Sequence, residues 1–221
     1  MEKAVLEKLY NKDRLSMTAI GKKMGYSSRT ICYWMQRHGI KRRSWSEAIY
    51  SWHNPTEPFQ PKTGLSPEEE KLKAVALGIF LGEGNRRSKY YVRVGNSDPL
   101  VLKLFIAFLR NICGVFESRI HVGLIVHPDV EVAGALSYWS RELRVPASNF
   151  HKPTVLKPRG KGTYGYRCPY GVATVIVGNI KLRLLIEEWI REYAHVAQLV
   201  EHSHGKGKVS GSIPLVGSAL N

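Results

Sequence analysis

With 221 residues and 43% hydrophobic content, the chain is long enough for two modest domains, each with its own core. Lys and Arg number 33 against 18 Asp and Glu, a formal net charge of +15, the balance of a protein that meets a polyanion. No apolar run approaches the roughly 18 residues of a spanning helix, and the N-terminal MEKAVLEKLY lacks a signal-peptide core, which leaves the cytoplasm as the default and argues against a membrane partner. Cys32, Cys113 and Cys168 lie far apart with no C-x-x-C pair, and His38, His53, His121, His127 and His151 are scattered. Neither a disulfide framework nor a Cys/His metal site is expected, nor any small-molecule cofactor.

Residues 1–44 carry eleven Lys or Arg against three acids. Val5, Leu6, Leu9 and Tyr10 mark a first amphipathic helix within 2–11. Ser16 is positioned to cap a helix through Met24, and Gly25 supplies a permissive turn. Ser27 or Ser28 caps a third helix to about His38, with Ile31 and Trp34 or Met35 facing inward and Ser28, Arg29, Thr30, Tyr33 and Arg37 facing outward. The spacing of Ile20, Met24, Gly25 and Ile31 resembles the helix-turn-helix of resolvase-like and small repressor-like domains. That resemblance implies binding to double-stranded DNA, hence to the nucleoid, with Arg29 the best candidate for a bidentate guanine contact. The plainer alternative is a three-helix bundle with a solvated basic face.

Residues 45–66 hold three prolines and no sustained periodicity, and read as a linker. Pro67 with Glu68, Glu69 and Glu70 opens a helix, placing acids where the helix dipole favours them. The helix turns apolar over residues 73–85, KAVALGIFLGEGN, with Gly78 and Gly82 four apart on one face. Each interior glycine costs about 1 kcal/mol relative to alanine, and a close-packed helix interface is one reason to carry them. Glu83, at the C-terminal end, sits where the dipole disfavours negative charge; such misplacement marks candidates for function.

The run Ala76-Leu77-Gly78-Ile79-Phe80-Leu81-Gly82-Glu83-Gly84 resembles the motif of the LAGLIDADG homing endonucleases without a gap. The resemblance implies an α+β domain of αββαββα architecture over about 67–193, with helix 129–143 inserted. It implies a homodimer, since only one motif is present, with Gly78 and Gly82 at the helix interface. Glu83, with Gly84, is the implied Mg²⁺ ligand at the scissile phosphate, and Mg²⁺ the implied cofactor. Leu81 occupies the family's other, more variable acidic position and leaves one carboxylate per motif. Two Glu83 carboxylates at a dimer axis repel unless a divalent cation neutralises them.

The remaining elements follow in order: a strand pair within 85–98, a helix over 98–113, a strand at 118–126, the helix at 129–143, strands at 153–158 and 171–178, and a helix at 180–193. Arg86, Arg87, Lys89 and Arg93 of the first pair are placed to follow a DNA groove. No acid occurs between Glu142 and Glu187. The glycine-rich stretch 158–167, with Arg159, Lys161 and Arg167, reads as a loop that orders on phosphates. Lys157 or Lys181 is the candidate for the family's supporting lysine.

Residues 194–221 read differently, as codons. Val196 to His202 is what GTA-GCT-CAG-TTG-GTA-GAG-CAT encodes, a transfer-RNA D-arm, and Gly211 to Pro214 fits the T-arm sequence GGT-TCG-ATT-CC. Eight codons lie between. The tail is therefore expected to be translated from a tRNA gene, poorly ordered and without chemistry. These readings point to a homing-type, Mg²⁺-dependent DNA endonuclease; the alternative is a non-cleaving DNA-binding protein or transcriptional regulator on the same scaffold.

Overall fold

The computed structural model describes residues 1–157 and 168–203. They divide into two compact units, Met1–Pro61 with Gly114–Phe116, and Lys62–Cys113 with the described residues from Glu117 onward. Among the described residues no helix is long and apolar enough to cross a membrane.

In the first unit α1 (Lys3–Glu7) continues as a π-helical turn over Lys8–Lys12. The Ser16 hydroxyl accepts from the Ala19 N–H at the start of α2 (Met17–Met24), which ends at Gly25 with φ 76°, a left-handed conformation cheap only for glycine. Ser27, not Ser28, caps α3 (Ser28–Arg37), accepting from the Thr30 N–H. Leu6, Leu9, Tyr10, Ile20, Ile31, Met35 and Ile40 close one core, with Trp34 packed at its edge. Met35 rather than Trp34 therefore takes the inner position.

The segment read as a linker differs from that expectation. Trp45–His53 is a helix, α4, opened by a reciprocal pair in which Ser44 and Glu47 satisfy each other's backbone N–H groups. That serine–glutamate spacing was present in the sequence, but the prolines beyond His53 masked it. None of the residues of α4 is buried. It is held through Tyr50, whose hydroxyl donates to Glu57, the carboxylate that also pairs with Arg14.

The second unit is a mixed α+β layer. A four-stranded sheet runs β1 (Tyr91–Asn96), β4 (Val172–Gly178), β2 (His121–Val126), β3 (Thr154–Val155). β1 and β2 are antiparallel to β4, and β3 is parallel to β2. Register places Val92 beside Val177, and Val94, Val175 and Val122 in one row, all on a buried face. α5 (Pro67–Glu83), α6 (Pro99–Asn111), α7 (Val132–Leu143) and α8 (Ile180–Ser203) supply the rest of the core, including Phe80, Phe105, Phe108, Trp139, Leu182 and Ile186. Phe105 lies between Phe80 and Phe108, with ring centroids 6.2 and 5.9 Å away.

Two expectations need correcting. Residues 85–98 hold one strand rather than two, because the polar run Arg86–Lys89 cannot contribute to a two-faced strand and β1 pairs instead with a strand some eighty residues on. The strands consequently do not form the successive hairpins of an αββαββα chain. α8 extends to Ser203, ten residues past the expected end, since Ala194–Ser203 contains no glycine or proline to stop it. Residues 204–221 lie outside the described ones.

Phe105→Ala should lower the unfolding free energy of the second unit by about 3–5 kcal/mol, as expected for an aromatic removed from a closed core. Urea unfolding followed by near-UV circular dichroism reads this, and a loss below about 1 kcal/mol would show the core to be open.

Candidate functional site

The site begins with how α5 starts and stops. Ser66 and Glu69 form a reciprocal cap around Pro67, and the Lys62 ammonium, with the Ser66 N–H, holds the Glu69 carboxyl below its usual range. Ala76, Leu77 and Phe80 face inward. The opposite stripe, Val75, Gly78, Leu81 and Gly82, faces outward, with Val75 49% and Leu81 44% exposed. A side chain built on Gly78 or Gly82 would meet nothing within 4 Å. Among the described residues, no packing requires glycine at either position.

Glu83 is the last helical residue and is exposed. Immediately after it the chain leaves the helix at Gly84, whose N–H still bonds the Phe80 carbonyl (3.1 Å) and which bridges to Val94 of β1. A Cβ at Gly84 would fall onto the Phe80 carbonyl and ring, so only glycine permits this approach. The Asn85 N–H donates to the Arg93 carbonyl (3.0 Å), and Asn85 Oδ1 accepts from the Arg87 N–H (3.1 Å). Arg86, Arg87 and Lys89 are all exposed on this pinned loop.

Beneath the loop lies a residue the sequence reading did not single out. Arg183 of α8 is 2% exposed; its guanidinium stacks 4.7 Å from the Phe80 ring, donates through Nε to the Ser88 carbonyl (3.3 Å) and pairs with Glu187 (2.9 Å). Its Nη1 is buried without a partner, as is Nε of Arg93, whose guanidinium lies 4.3 Å over Tyr91. Among the described residues these are the two buried side-chain polar atoms left unsatisfied. Arg183 braces the Glu83 loop through its side chain, and Arg93 through its backbone carbonyl. An unsatisfied buried donor costs about 1–3 kcal/mol, more when charged, so the site keeps positive charge at a stability cost. The available signal was a cation on the apolar stripe Leu182–Ile186, with Glu187 four residues on.

The second face of the sheet has its own texture. Register aligns Arg93, Ile176 and His121 in one row and Gly95, Thr174 and Gly123 in the next. All six are half-buried. The second row is nearly free of side chains, a shallow strip beside a cation and an imidazole.

The other predicted residues divide. On α3, Ser28, Arg29, Tyr33 and Arg37 are exposed, and Arg37 reaches the Tyr33 hydroxyl at 3.4 Å. Thr30 is committed to the cap, its hydroxyl 2.8 Å from that of Ser27. Lys181 is exposed two residues before Arg183 on the helix that braces the loop. Lys157 is exposed just past β3, the far edge of the sheet, three strand spacings (about 14 Å) from β1. Arg159, Lys161 and Arg167 lie outside the described residues. No group of three or more His, Cys, Asp or Glu able to hold a metal occurs among the described residues, so one chain offers Glu83 as a lone carboxylate. No protein-family model, curated protein or solved structure matches this chain.

Arg183→Ala removes the brace, exposes the Ser88 carbonyl and opens a cavity beside Phe80. It should destabilise the second unit by about 3 kcal/mol and accelerate amide exchange at Asn85 and Gly84. Unchanged exchange at those two amides would show that Arg183 does not hold the loop.

Proposed function

We propose that the chain is a site-specific double-strand DNA endonuclease of homing type that acts as a homodimer with Mg²⁺. One observation carries the reading: an exposed carboxylate, Glu83, ends a helix whose small, apolar outer stripe meets no partner among the described residues. Two copies packed along Val75, Gly78, Leu81 and Gly82 would bring their backbones close and set two Glu83 carboxylates side by side. Two carboxylates that close would not both stay ionised without a cation between them. The described residues of one chain hold no cluster of three or more metal-ligating side chains, but the paired Glu83 carboxylates, with the Gly84 carbonyls and phosphate oxygens, would make an all-oxygen donor set suited to Mg²⁺. Mg²⁺ bound there would stabilise charge on the phosphate and favour ionisation of an attacking water.

The chain's own residues have separable tasks in this reading. Glu83 holds the cation, while Arg86, Arg87, Lys89 and Arg93 carry positive charge along the backbone of the bound duplex. Lys181 is the better placed of the two lysines to support the phosphate, being on the same helix as Arg183. The α2–α3 pair acts as a helix-turn-helix, with Arg29 reading guanine and Ser28, Tyr33 and Arg37 contacting the backbone. The codon pattern of the tail supports a gene lodged against a tRNA gene, a setting that suits a mobile nuclease.

A second reading, a non-cleaving DNA-binding protein or regulator on this scaffold, is favoured by Leu81. That residue stands where a second acid could have stood.

The two are separated by incubating the dimer with DNA fragments spanning the empty insertion locus. Cleavage in Mg²⁺ but not Ca²⁺, lost at least a hundredfold in Glu83→Gln with Ca²⁺-supported binding unchanged, supports the nuclease; tight binding without cutting under any divalent ion supports the regulator. Gly78→Ala/Gly82→Ala tests the dimer independently. In the monomer these changes should stabilise α5 by up to about 1 kcal/mol each. In sedimentation they should abolish dimer formation, and a variant that still dimerises sinks the proposed interface.

A further inference from the structure

The first unit carries an exposed aromatic surface that the reading above leaves unused. α4 presents Trp45, Ile49 and Trp52 at helical spacing, and the two indoles are 83% and 78% exposed. Large aromatics are seldom left so bare, because each removes substantial apolar area from water when covered. Beside them runs a groove of about 600 Å³, lined by Trp45, Ala48 and Trp52 on one side and by Arg14, Arg42 and Arg43 among those opposite.

The charges around this groove decide what fits. Arg14 is neutralised by Glu57, and Glu47 is occupied in capping α4. Arg43 stacks 4.2 Å over Tyr10 and donates to the carbonyls of Arg14 and Leu15, and no acid among the described residues pairs with it. Arg42, next to it, is exposed. Residues 1–61 hold eleven Lys and Arg against five Asp and Glu, a net +6 of the chain's +15, leaving +9 for the rest. A second copy and the remainder of the chain are thus both of the same sign as the groove. A polyanion with apolar faces is complementary on both counts.

We propose that α4 is a second DNA-contacting element, in which Arg42 and Arg43 take phosphates of duplex DNA and Trp45 and Trp52 lie against the deoxyriboses beside them. The proposal rests on the reading of α2–α3 as a DNA-binding pair and extends its footprint to flanking backbone. Trp45 and Trp52 are seven residues apart, about 10.5 Å along a helix, so they lie against separate sugars rather than one. The contact is to sugar and phosphate, so it adds affinity without sequence preference.

The test uses the full chain, a labelled 30-base-pair duplex of random sequence and EDTA to prevent cleavage. Trp45→Ala/Trp52→Ala should weaken binding about tenfold or more with the salt dependence unchanged, whereas Arg42→Ala should lower the slope of log affinity against log salt by about 0.9. In the wild type, duplex should shield tryptophan fluorescence from acrylamide, and in Trp45→Phe/Trp52→Phe, whose remaining indoles are the buried or half-buried Trp34, Trp139 and Trp189, that shielding should vanish. Because both side chains are exposed, an unchanged thermal midpoint is expected and confirms the fold. If Arg29→Ala weakens binding but the tryptophan variants bind and quench like the wild type, α4 is not a contact and this proposal falls alone. If the wild type binds no duplex, the reading of α2–α3 falls and takes α4 with it. If the protein self-associates without DNA and the tryptophan variants abolish that, the occupant is a second copy and the proposal is overturned.

Discussion

Everything the second unit offers at its candidate site depends on one close approach. At Gly84 the chain turns out of α5 so tightly that no side chain fits against Phe80. The Asn85 amide then ties the departing strand to Arg93. Had the turn been wider, Glu83 would end a frayed helix and Arg86, Arg87 and Lys89 would sample solvent independently. With the turn closed, an acid and three cations are held on seven consecutive residues, at an edge of the sheet. The Phe80 ring serves both sides of the contact, as the surface Gly84 approaches and as the platform on which Arg183 stacks.

That arrangement is expensive in a consistent direction. Glu83 faces the partial negative charge of its own helix end. Arg183 and Arg93 each bury a donor that nothing among the described residues satisfies. Hydrophobic replacements of similar volume would often be neutral or stabilising at such buried positions. Stability alone therefore does not account for an exposed acid at a helix end together with two under-satisfied buried cations in the same unit. In the proposed reading, an anionic ligand on the exposed Arg86, Arg87 and Lys89 accounts for the cations of the loop, and a metal ion shared with a second copy accounts for the acid.

What could be read from sequence is what local chemistry decides. Ser16, Gly25 and Ser27 punctuate α2 and α3 through hydrogen bonds that span three or four residues, and Pro67 with its following acids marks the start of α5 the same way. Glu83 emerged because its position conflicts with its own helix. The failures are non-local or masked. β1 finds its partner in β4 across roughly eighty residues, and nothing within 85–98 announces that pairing. The burial of Arg183 follows from which face of α8 meets α5 and β1, so its role became visible only with the fold. α4 is a different case, since its capping pair was legible and was outweighed by neighbouring prolines that lie outside the helix.

The two bare apolar surfaces differ in kind, and the difference argues that they meet different partners. The stripe on α5 is built from glycine, valine and leucine, so it is shallow and has almost no side chain at its centre. Such a surface gains most from a rigid partner that can come within backbone distance, which a second α5 can do and a charged, hydrated DNA strand cannot. The stripe on α4 is the reverse: two broad indoles beside two guanidinium groups. It would hold a second basic copy apart, yet it matches the alternation of sugar and phosphate along a strand. A chain of net charge +15 associates with itself most readily where its cations are absent, and the Val75, Gly78, Leu81 and Gly82 face of α5 is an exposed surface of that character. On the proposed reading, self-association and DNA contact are thus separated by charge before any partner arrives.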